Sequence, residues 1–136
     1  MINNVRCKTL SVSNLKAAVD FYEKTLELNK KYEYPFHAGF QCGGIEIGLK
    51  PSKKEKKYIE GVPSIEFFVV NVGVVYETLK KKDVNFVKGP YDEPWGGREA
   101  SFLDLDGNLL EIVQINREKY FEVSVKGTKT QCDNYD

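Results

Sequence analysis

The chain has little of several residue types, and each shortage narrows its possible functions. It holds one histidine, one tryptophan, one methionine and three cysteines in 136 residues. The cysteines, Cys7, Cys42 and Cys132, are odd in number and include no CxxC pair. That pattern argues against a disulfide framework. No signal peptide is evident, so we expect reduced thiols and a cytoplasmic location.

Net charge and long apolar runs are also missing. Twenty basic residues balance twenty acidic ones, which leaves a formal net charge of +0. This balance gives no long-range attraction for nucleic acid or an anionic membrane, so neither partner is expected. No apolar run approaches the length of a membrane span. The lysine-rich runs around residues 53–57 and 80–82 are read as solvated surface.

An internal repeat is the clearest feature that the sequence does contain. A predicted strand over 5–12 leads to a helix cap at Asn14, and a second strand over 64–70 leads to Asn71. Leu10 and Phe67 share the same spacing of 57 residues as the two asparagines. Repetition at this period indicates a duplicated module. A glutamate also stands on each closing strand, at positions 46 and 111.

The pattern predicts an α+β fold of two tandem βαβββ modules, with curved sheets around a shared cleft. Module one is predicted over 5–50, a lysine-rich linker over 51–61, module two over 62–115 and a C-terminal extension over 116–136. Gly43-Gly44 and Asp106-Gly107 predict tight hairpins with positive φ at the central positions. Gly89-Pro90 is predicted to end a strand. Within the extension, alternation around residues 121–125 favours one more strand.

Three stretches carry a resemblance to a known family. They are the first strand and helix (residues 10–28), the loop Pro94-Trp95-Gly96-Gly97-Arg98 and the closing hairpin (residues 102–114). Because the three stretches occur in the same order as in the family and lie on an internal repeat, the chain resembles the vicinal-oxygen-chelate superfamily. This superfamily includes glyoxalase I, bleomycin-resistance proteins, fosfomycin-resistance enzymes and extradiol dioxygenases. Two positions depart from its pattern, since Glu27 replaces a usual glycine and Leu105 a usual proline.

The resemblance implies four metal-ligand positions, which fall on Cys7, Glu46, Ser64 and Glu111. The first and third are commonly histidine in metal-dependent members, and both histidines are absent here. A serine hydroxyl is a poor ligand for zinc, nickel or iron. No cofactor is therefore expected, and a divalent metal on Cys7, Glu46 and Glu111 is kept as an alternative. Without a metal, the two carboxylates would share a proton, pair with a cationic ligand group, or pair with a lysine or arginine.

Further residues are candidates for a ligand-binding cleft. The Trp95 ring could stack on a planar ligand or anchor its loop. Arg98 could hold an anionic ligand group, or pair with Glu99 or Glu111. Phe67 is a core residue by spacing that could also face the cleft. His37 could act as a base, although it stands at no ligand position of the family and fits an ordinary structural role.

These observations lead to three functional hypotheses. The first is a homodimeric small-molecule-binding protein of the bleomycin-resistance kind, which sequesters an aromatic or amphipathic ligand. The second is a metal-dependent lyase, isomerase or dioxygenase of glyoxalase type. The third is an interaction module whose cleft is vestigial. Nucleophilic catalysis has little support in the sequence, because no serine or cysteine stands beside the histidine in a known motif.

Overall fold

The computed structural model describes residues 1–53 and 61–116, together with Glu118. Within that part of the chain, eight strands form two four-stranded sheets, ordered β1-β4-β3-β2 (sheet 1) and β5-β8-β7-β6 (sheet 2). The identical order in both sheets confirms the predicted α+β fold and the duplication behind it. The strands are β1 Cys7–Val12, β2 Asn29–Tyr34, β3 His37–Cys42, β4 Ile45–Pro51, β5 Ile65–Phe68, β6 Asn85–Asp92, β7 Gly97–Leu103 and β8 Leu109–Ile115.

One helical segment follows the first strand of each sheet. Helix α1 spans Leu15–Asp20 and continues into a π-helical turn, Phe21–Thr25, whereas α2 spans Val72–Lys81. The asparagine caps are confirmed, because Asn14 Oδ1 accepts from Ala17 N at 3.0 Å and Asn71 Oδ1 accepts from Val74 N at 3.1 Å. Each cap satisfies one of the amides that the first helical turn leaves free.

The chain packs as two units. Unit 1 comprises the described residues of Met1–Val62 together with Leu103–Leu109, and unit 2 comprises those of Pro63–Phe102 and Leu110–Asp136. The turn between β7 and β8 is therefore part of unit 1, although both strands belong to sheet 2. Within unit 1, Asn108 Nδ2 donates to Ser11 O at 3.2 Å and Asp106 Oδ1 accepts from Ser13 N at 2.8 Å.

Sheet 1 has one apolar face and one polar face, because successive side chains of a strand point in opposite directions. The helical segment covers the apolar face with Ala18, Val19 and Tyr22, all of them buried. The Tyr22 ring lies 6.1 Å from the Phe40 ring. The strand residues on this face are almost fully buried: Leu10, Val12, Ala38, Phe40, Ile47 and Leu49.

Two details of the strand predictions were wrong. Strand β6 continues through Gly89-Pro90 as far as Asp92. It is the edge strand of sheet 2, and edge strands tolerate a proline whose nitrogen faces away from the neighbouring strand. In the hairpin turns only Gly43 and Gly107 adopt positive φ, at 61° and 80°, so one left-handed residue is enough in each turn.

Some predictions fall on residues outside the described part of the chain. They concern most of the linker (residues 54–60), the strand predicted around residues 121–125, and Cys132. Among the described residues, no helix is long and apolar enough to cross a membrane.

Candidate functional site

The polar face of sheet 1 collects most of the reactive groups that the sequence singled out. The register pairs Cys7 with Glu46, and Glu46 with Gln41. It also aligns Thr9, Gly48, Gly39 and Tyr32 in one row across all four strands. His37 stands two residues before Gly39 and so shares that face. This surface is called the Gly48 face below, and it comprises Cys7, Thr9, Tyr32, His37, Gly39, Gln41, Glu46 and Gly48.

Glu46 is a buried carboxylate with three donors around it. Its side chain is 7% exposed. Tyr32 donates its hydroxyl to Glu46 Oε2 at 2.8 Å, and Arg6 lies 3.4 Å from the same oxygen. Lys31 Nζ approaches Oε1 at 3.4 Å. The Tyr32 hydrogen bond, followed by the two cations, lowers the pKa of Glu46, so this carboxylate is ionised at neutral pH.

Gly48 allows three polar side chains to converge. A Cβ on Gly48 would stand 3.2 Å from Cys7 Sγ, 3.2 Å from Thr9 Oγ1 and 3.3 Å from His37 Nε2. These separations are tighter than side chains normally tolerate, so a larger residue would push the three groups apart. Cys7 and His37 are both half-buried. A thiol, a hydroxyl and an imidazole therefore converge over Gly48 and take up the space that its missing side chain leaves.

Tyr32 connects this group of side chains to Glu46. Its ring lies over Gly39, where a Cβ would meet ring atoms at 2.5 Å. The Tyr32 hydroxyl is 3.4 Å from His37 Nε2, and the two rings meet edge to face at 5.2 Å. Burial and the hydrogen bond to Glu46 raise the pKa of Tyr32 to about 12, so its hydroxyl keeps its proton.

Sheet 2 carries a different kind of carboxylate site. Glu111 is 6% exposed and pairs in register with Glu66 on β5. Ser101 Oγ donates to Glu111 Oε2 at 3.4 Å, and Tyr91 donates to Glu99 Oε2 at 2.7 Å. Burial, followed by repulsion from Glu99 and a hydrogen bond with Glu66, raises the pKa of Glu111 to about 7. Glu111 is therefore part protonated near neutrality, unlike Glu46.

The remaining predicted residues are dispersed within unit 2. Trp95 is half-buried and lies against Gly97, where a Cβ would overlap its ring. Arg98 pairs with Asp92 at 3.5 Å and, by alternation along β7, lies on the opposite face from Glu99. Phe67 pairs in register with buried Ile112, on the face opposite Glu111. Ser64 precedes β5 by one residue.

The sequence reasoning missed the residues that act directly on the two glutamates. Four of them, Arg6, Lys31, Tyr32 and Glu66, act through contacts with Glu46 or Glu111. Glu99 was considered only as a partner for Arg98. Alternation along β5 and β7 could have placed Glu66 and Glu99 on polar faces. No local signal could have paired Tyr32 with Glu46, because that contact depends on strand register.

The residues at the four implied ligand positions do not fit a divalent metal ion. Both oxygens of Glu46 already face cationic or hydroxyl donors. Glu111 is part protonated near neutrality and Ser64 offers a neutral hydroxyl. Among the residues that the structure describes, no group of three or more His, Cys, Asp or Glu side chains is placed to hold a metal. A metal ion would need both carboxylates to leave their present partners.

The two sheets of identical strand order, each with a buried glutamate, are consistent with one protein family. Residues 2–112 match the model of the Glyoxalase/Bleomycin resistance protein/Dioxygenase superfamily, and the chain belongs to that family. The fold predicted from the resemblance is thereby confirmed.

The chain is also similar to individual relatives. The chain is 32% identical to YraH of Bacillus subtilis (strain 168) over 123 residues, which cover 78% of this chain and 94% of the relative. It is 30% identical to the metallothiol transferase FosB of Staphylococcus haemolyticus over 118 residues, 82% and 84% of the two chains. A superfamily member from Sphaerobacter thermophilus matches in structure with a TM-score of 0.70 and 28% identity, over 83% of this chain and 98% of its own.

Proposed function

We propose that this chain is a small-molecule-binding protein that sequesters an aromatic or amphipathic ligand, and that each unit offers one buried carboxylate, Glu46 or Glu111, as a polar anchor. The observation that carries the proposal is the presence of one buried carboxylate on the polar face of each sheet, in two different protonation states. Burying such groups is unfavourable unless they meet partners. Family members of this fold differ in what they bind, so the ligand must be argued from these sites.

The surroundings of Glu46 favour an aromatic ligand part. Tyr32 and Tyr34 lie with ring centroids 5.4 Å apart, and Tyr34 is 58% exposed. Exposed tyrosine rings offer a face on which a planar molecule can stack. Lys31 and Arg6 are more than half exposed, so they remain available to an anionic group of the ligand as well as to Glu46. Aromatic stacking beside mixed charges suits an amphipathic molecule.

The surroundings of Glu111 favour a cationic or hydrogen-bond-donating ligand part. The carboxyl groups of Glu66 and Glu99 both act on Glu111 there. A positive group beside them would relieve their repulsion and release the proton of Glu111. Such a ligand should therefore bind more tightly above pH 7 than below it, which calorimetry at two pH values would measure.

The experiment is a thermal-shift screen of planar amphipathic compounds, followed by calorimetry on any hit. We expect substitution of the glutamate that anchors the hit, Glu46→Gln or Glu111→Gln, to weaken binding by about tenfold, the loss of one charged hydrogen-bonding partner. Glu77→Gln, on the exposed side of α2, is the matched control and should leave the affinity unchanged. A ligand whose affinity is insensitive to both anchor substitutions would contradict the assignment of the site.

A metal-dependent enzyme is the second candidate, and the similarity to FosB favours it because that relative is named a metallothiol transferase. The donor set of this chain argues against it. Metal content of protein purified without added metal or an affinity tag separates the two candidates. We expect less than about a tenth of an equivalent; near-stoichiometric metal that is lost in Glu111→Gln would overturn the proposal in favour of the enzyme.

A further inference from the structure

We propose that Lys31 and Arg6 bind the carboxylate of a planar aromatic acid, whose ring stacks on Tyr34. This inference rests on the proposed function and deepens it, because it names the ligand class of unit 1 and the residues that select it. Glu46 acts in this site through Lys31 and Arg6, which it holds in place.

A β-bulge in β2 turns Lys31 toward the Gly48 face. The register of β2 against β3 shifts by one residue between Lys30 and Tyr32, so Lys31 is the inserted residue of the bulge. In a regular strand, Lys31 and Tyr32 would point to opposite faces. Both side chains instead reach Glu46, Tyr32 Oη at 2.8 Å and Lys31 Nζ at 3.4 Å. Bulges often redirect a side chain next to a binding site, and here the redirected group is a cation.

Arg6 supplies a second cation from the strand beside Glu46. Its carbonyl accepts from Glu46 N at 3.1 Å, which fixes the backbone of Arg6 at the start of β1. Arg6 Nη1 lies 3.4 Å from Glu46 Oε2, whereas Lys31 Nζ lies 3.4 Å from Glu46 Oε1. The two cations therefore contact different oxygens of one carboxylate, and their spacing already matches an anion with two oxygens.

The two cations keep donors for a second carboxylate. The side chains of Arg6 and Lys31 are 77% and 55% exposed. A guanidinium and an ammonium each carry several N–H donors, and the contact with Glu46 uses one of them on each side chain. The two positive charges also exceed the single charge of Glu46, which leaves an attraction for an anion. A carboxylate on the solvent side of the pair can accept from both cations without displacing Glu46.

Tyr34 is the reason why the acid should be aromatic. It follows Tyr32 on the same face, because regular pairing resumes beyond the bulge. The two rings lie 5.4 Å apart, and Tyr34 is exposed. An exposed tyrosine ring can stack on a planar molecule. Tyr34 lies about 7 Å along the strand from Tyr32, whose hydroxyl contacts the same carboxylate as the two cations, so an acid of bicyclic size fits.

The test uses 2-naphthoate as the probe, with binding measured by calorimetry at neutral pH. We expect Lys31→Gln and Arg6→Gln each to weaken its binding by about fivefold, the loss of one exposed charge contact. Tyr34→Leu removes the ring and should weaken binding by about threefold. Lys8→Gln is the matched control and should leave the affinity unchanged, because Lys8 is exposed on β1 and points away from the Gly48 face.

Further probes separate recognition of the ring from recognition of the charge. Cyclohexanecarboxylate keeps the charge without the planar ring, and 2-naphthamide keeps the ring without the charge. Each should bind at least about threefold more weakly than 2-naphthoate. Inorganic phosphate tests for a general anion site. Equal binding of any of these probes would overturn the proposal, as would an equal loss in Lys8→Gln or no binding of 2-naphthoate.

Failure of this inference differs from failure of the proposed function. Circular dichroism of each variant checks that its fold is retained, so a loss of affinity reports on the site. If 2-naphthoate does not bind but the thermal-shift screen yields ligands that depend on Glu111, ligand sequestration stands without this site. If the screen yields no ligand for either unit, the proposed function itself is wrong.

Discussion

At the scale of single residues, two glutamates show how the surroundings of a carboxyl group decide its protonation. Glu46 and Glu111 occupy corresponding closing strands and are equally buried. Tyr32, Lys31 and Arg6 hold Glu46 ionised, whereas burial, together with Glu99 and Glu66, raises the pKa of Glu111 and favours its protonated form. The sequence predicted both carboxylates from the repeat. It could not predict that their pKa values shift in opposite directions, which depends on partners brought together by strand register.

The raised pKa of Glu111 predicts a pH-dependent stability. The folded state binds this proton up to pH 7, and the unfolded state releases it near 4.5. Stability should therefore fall as pH rises from about 4.5 to 7, because the folded state holds more protons in that window. One pKa unit corresponds to about 1.4 kcal/mol, and solvent screening should reduce the total to about 1–2 kcal/mol.

Glu111→Gln removes the titrating group. We expect the variant to lose this pH dependence and to exceed the parent protein in stability at pH 8, as measured by urea unfolding at several pH values. Glu77→Gln serves as the control and should keep the parental profile. Parallel profiles for Glu111→Gln and the parent protein would show that Glu111 does not carry the effect.

At the scale of secondary-structure elements, helix ends can be predicted from the local sequence, whereas the extent of an edge strand cannot. The start of α2 was predicted correctly because the Asn71 cap needs only residues within one turn. The extent of β6 was not, because Gly89-Pro90 is tolerated only through the position of β6 at the edge of the sheet. The π-helical turn after α1 also escaped prediction. Its residues Phe21 and Tyr22 are buried, so packing decides its geometry.

The C-terminal end of α2 supplies a prediction at this scale. Asp83 has φ 62°, Val84 N donates to Leu79 O, and Asp83 N donates to Lys80 O, which together form a Schellman motif. Because glycine adopts this conformation without strain, Asp83→Gly should raise the free energy of unfolding by about 0.5–1 kcal/mol. Glu77→Gly, inside the same helix, should lower it by about 1 kcal/mol. Chemical denaturation of both variants checks the opposite signs; equal destabilisation would refute the role of φ.

The turn between β7 and β8 matters at the scale of the whole molecule, because residues 103–109 belong to unit 1 rather than to the sheet that they connect. The repeat predicted two self-contained modules over 5–50 and 62–115, and those boundaries remain a prediction. Sequence reasoning predicted a hairpin here. It had no means of anticipating that the turn would supply buried acceptors to the helical segment of the other module.

Asp104 is the centre of that turn, and its substitution tests how much unit 1 depends on it. Its buried carboxylate accepts from Tyr22 Oη at 2.7 Å and Asn108 Nδ2 at 2.7 Å, and from the amides of Asp106 and Asn108 at 2.9 Å. Burial and this carboxylate raise the pKa of Tyr22, so its hydroxyl remains the donor. In Asp104→Asn, an amide NH₂ group replaces one carboxylate oxygen. The donors that bonded to that oxygen then face another donor.

We expect Asp104→Asn to lower the free energy of unfolding by about 3 kcal/mol, because buried donors lose a charged acceptor. Tyr22→Phe should lower it by about 1–2 kcal/mol, since it removes one of the four donors and keeps the ring against Phe40. Asp92→Asn, at an exposed carboxylate of β6, is the matched control and should change it by less than about 0.5 kcal/mol. Urea unfolding followed by Trp95 fluorescence and by circular dichroism measures all three. If Asp104→Asn were no more destabilising than Asp92→Asn, the turn would be a passive connection and unit 1 would be stable without its acceptors.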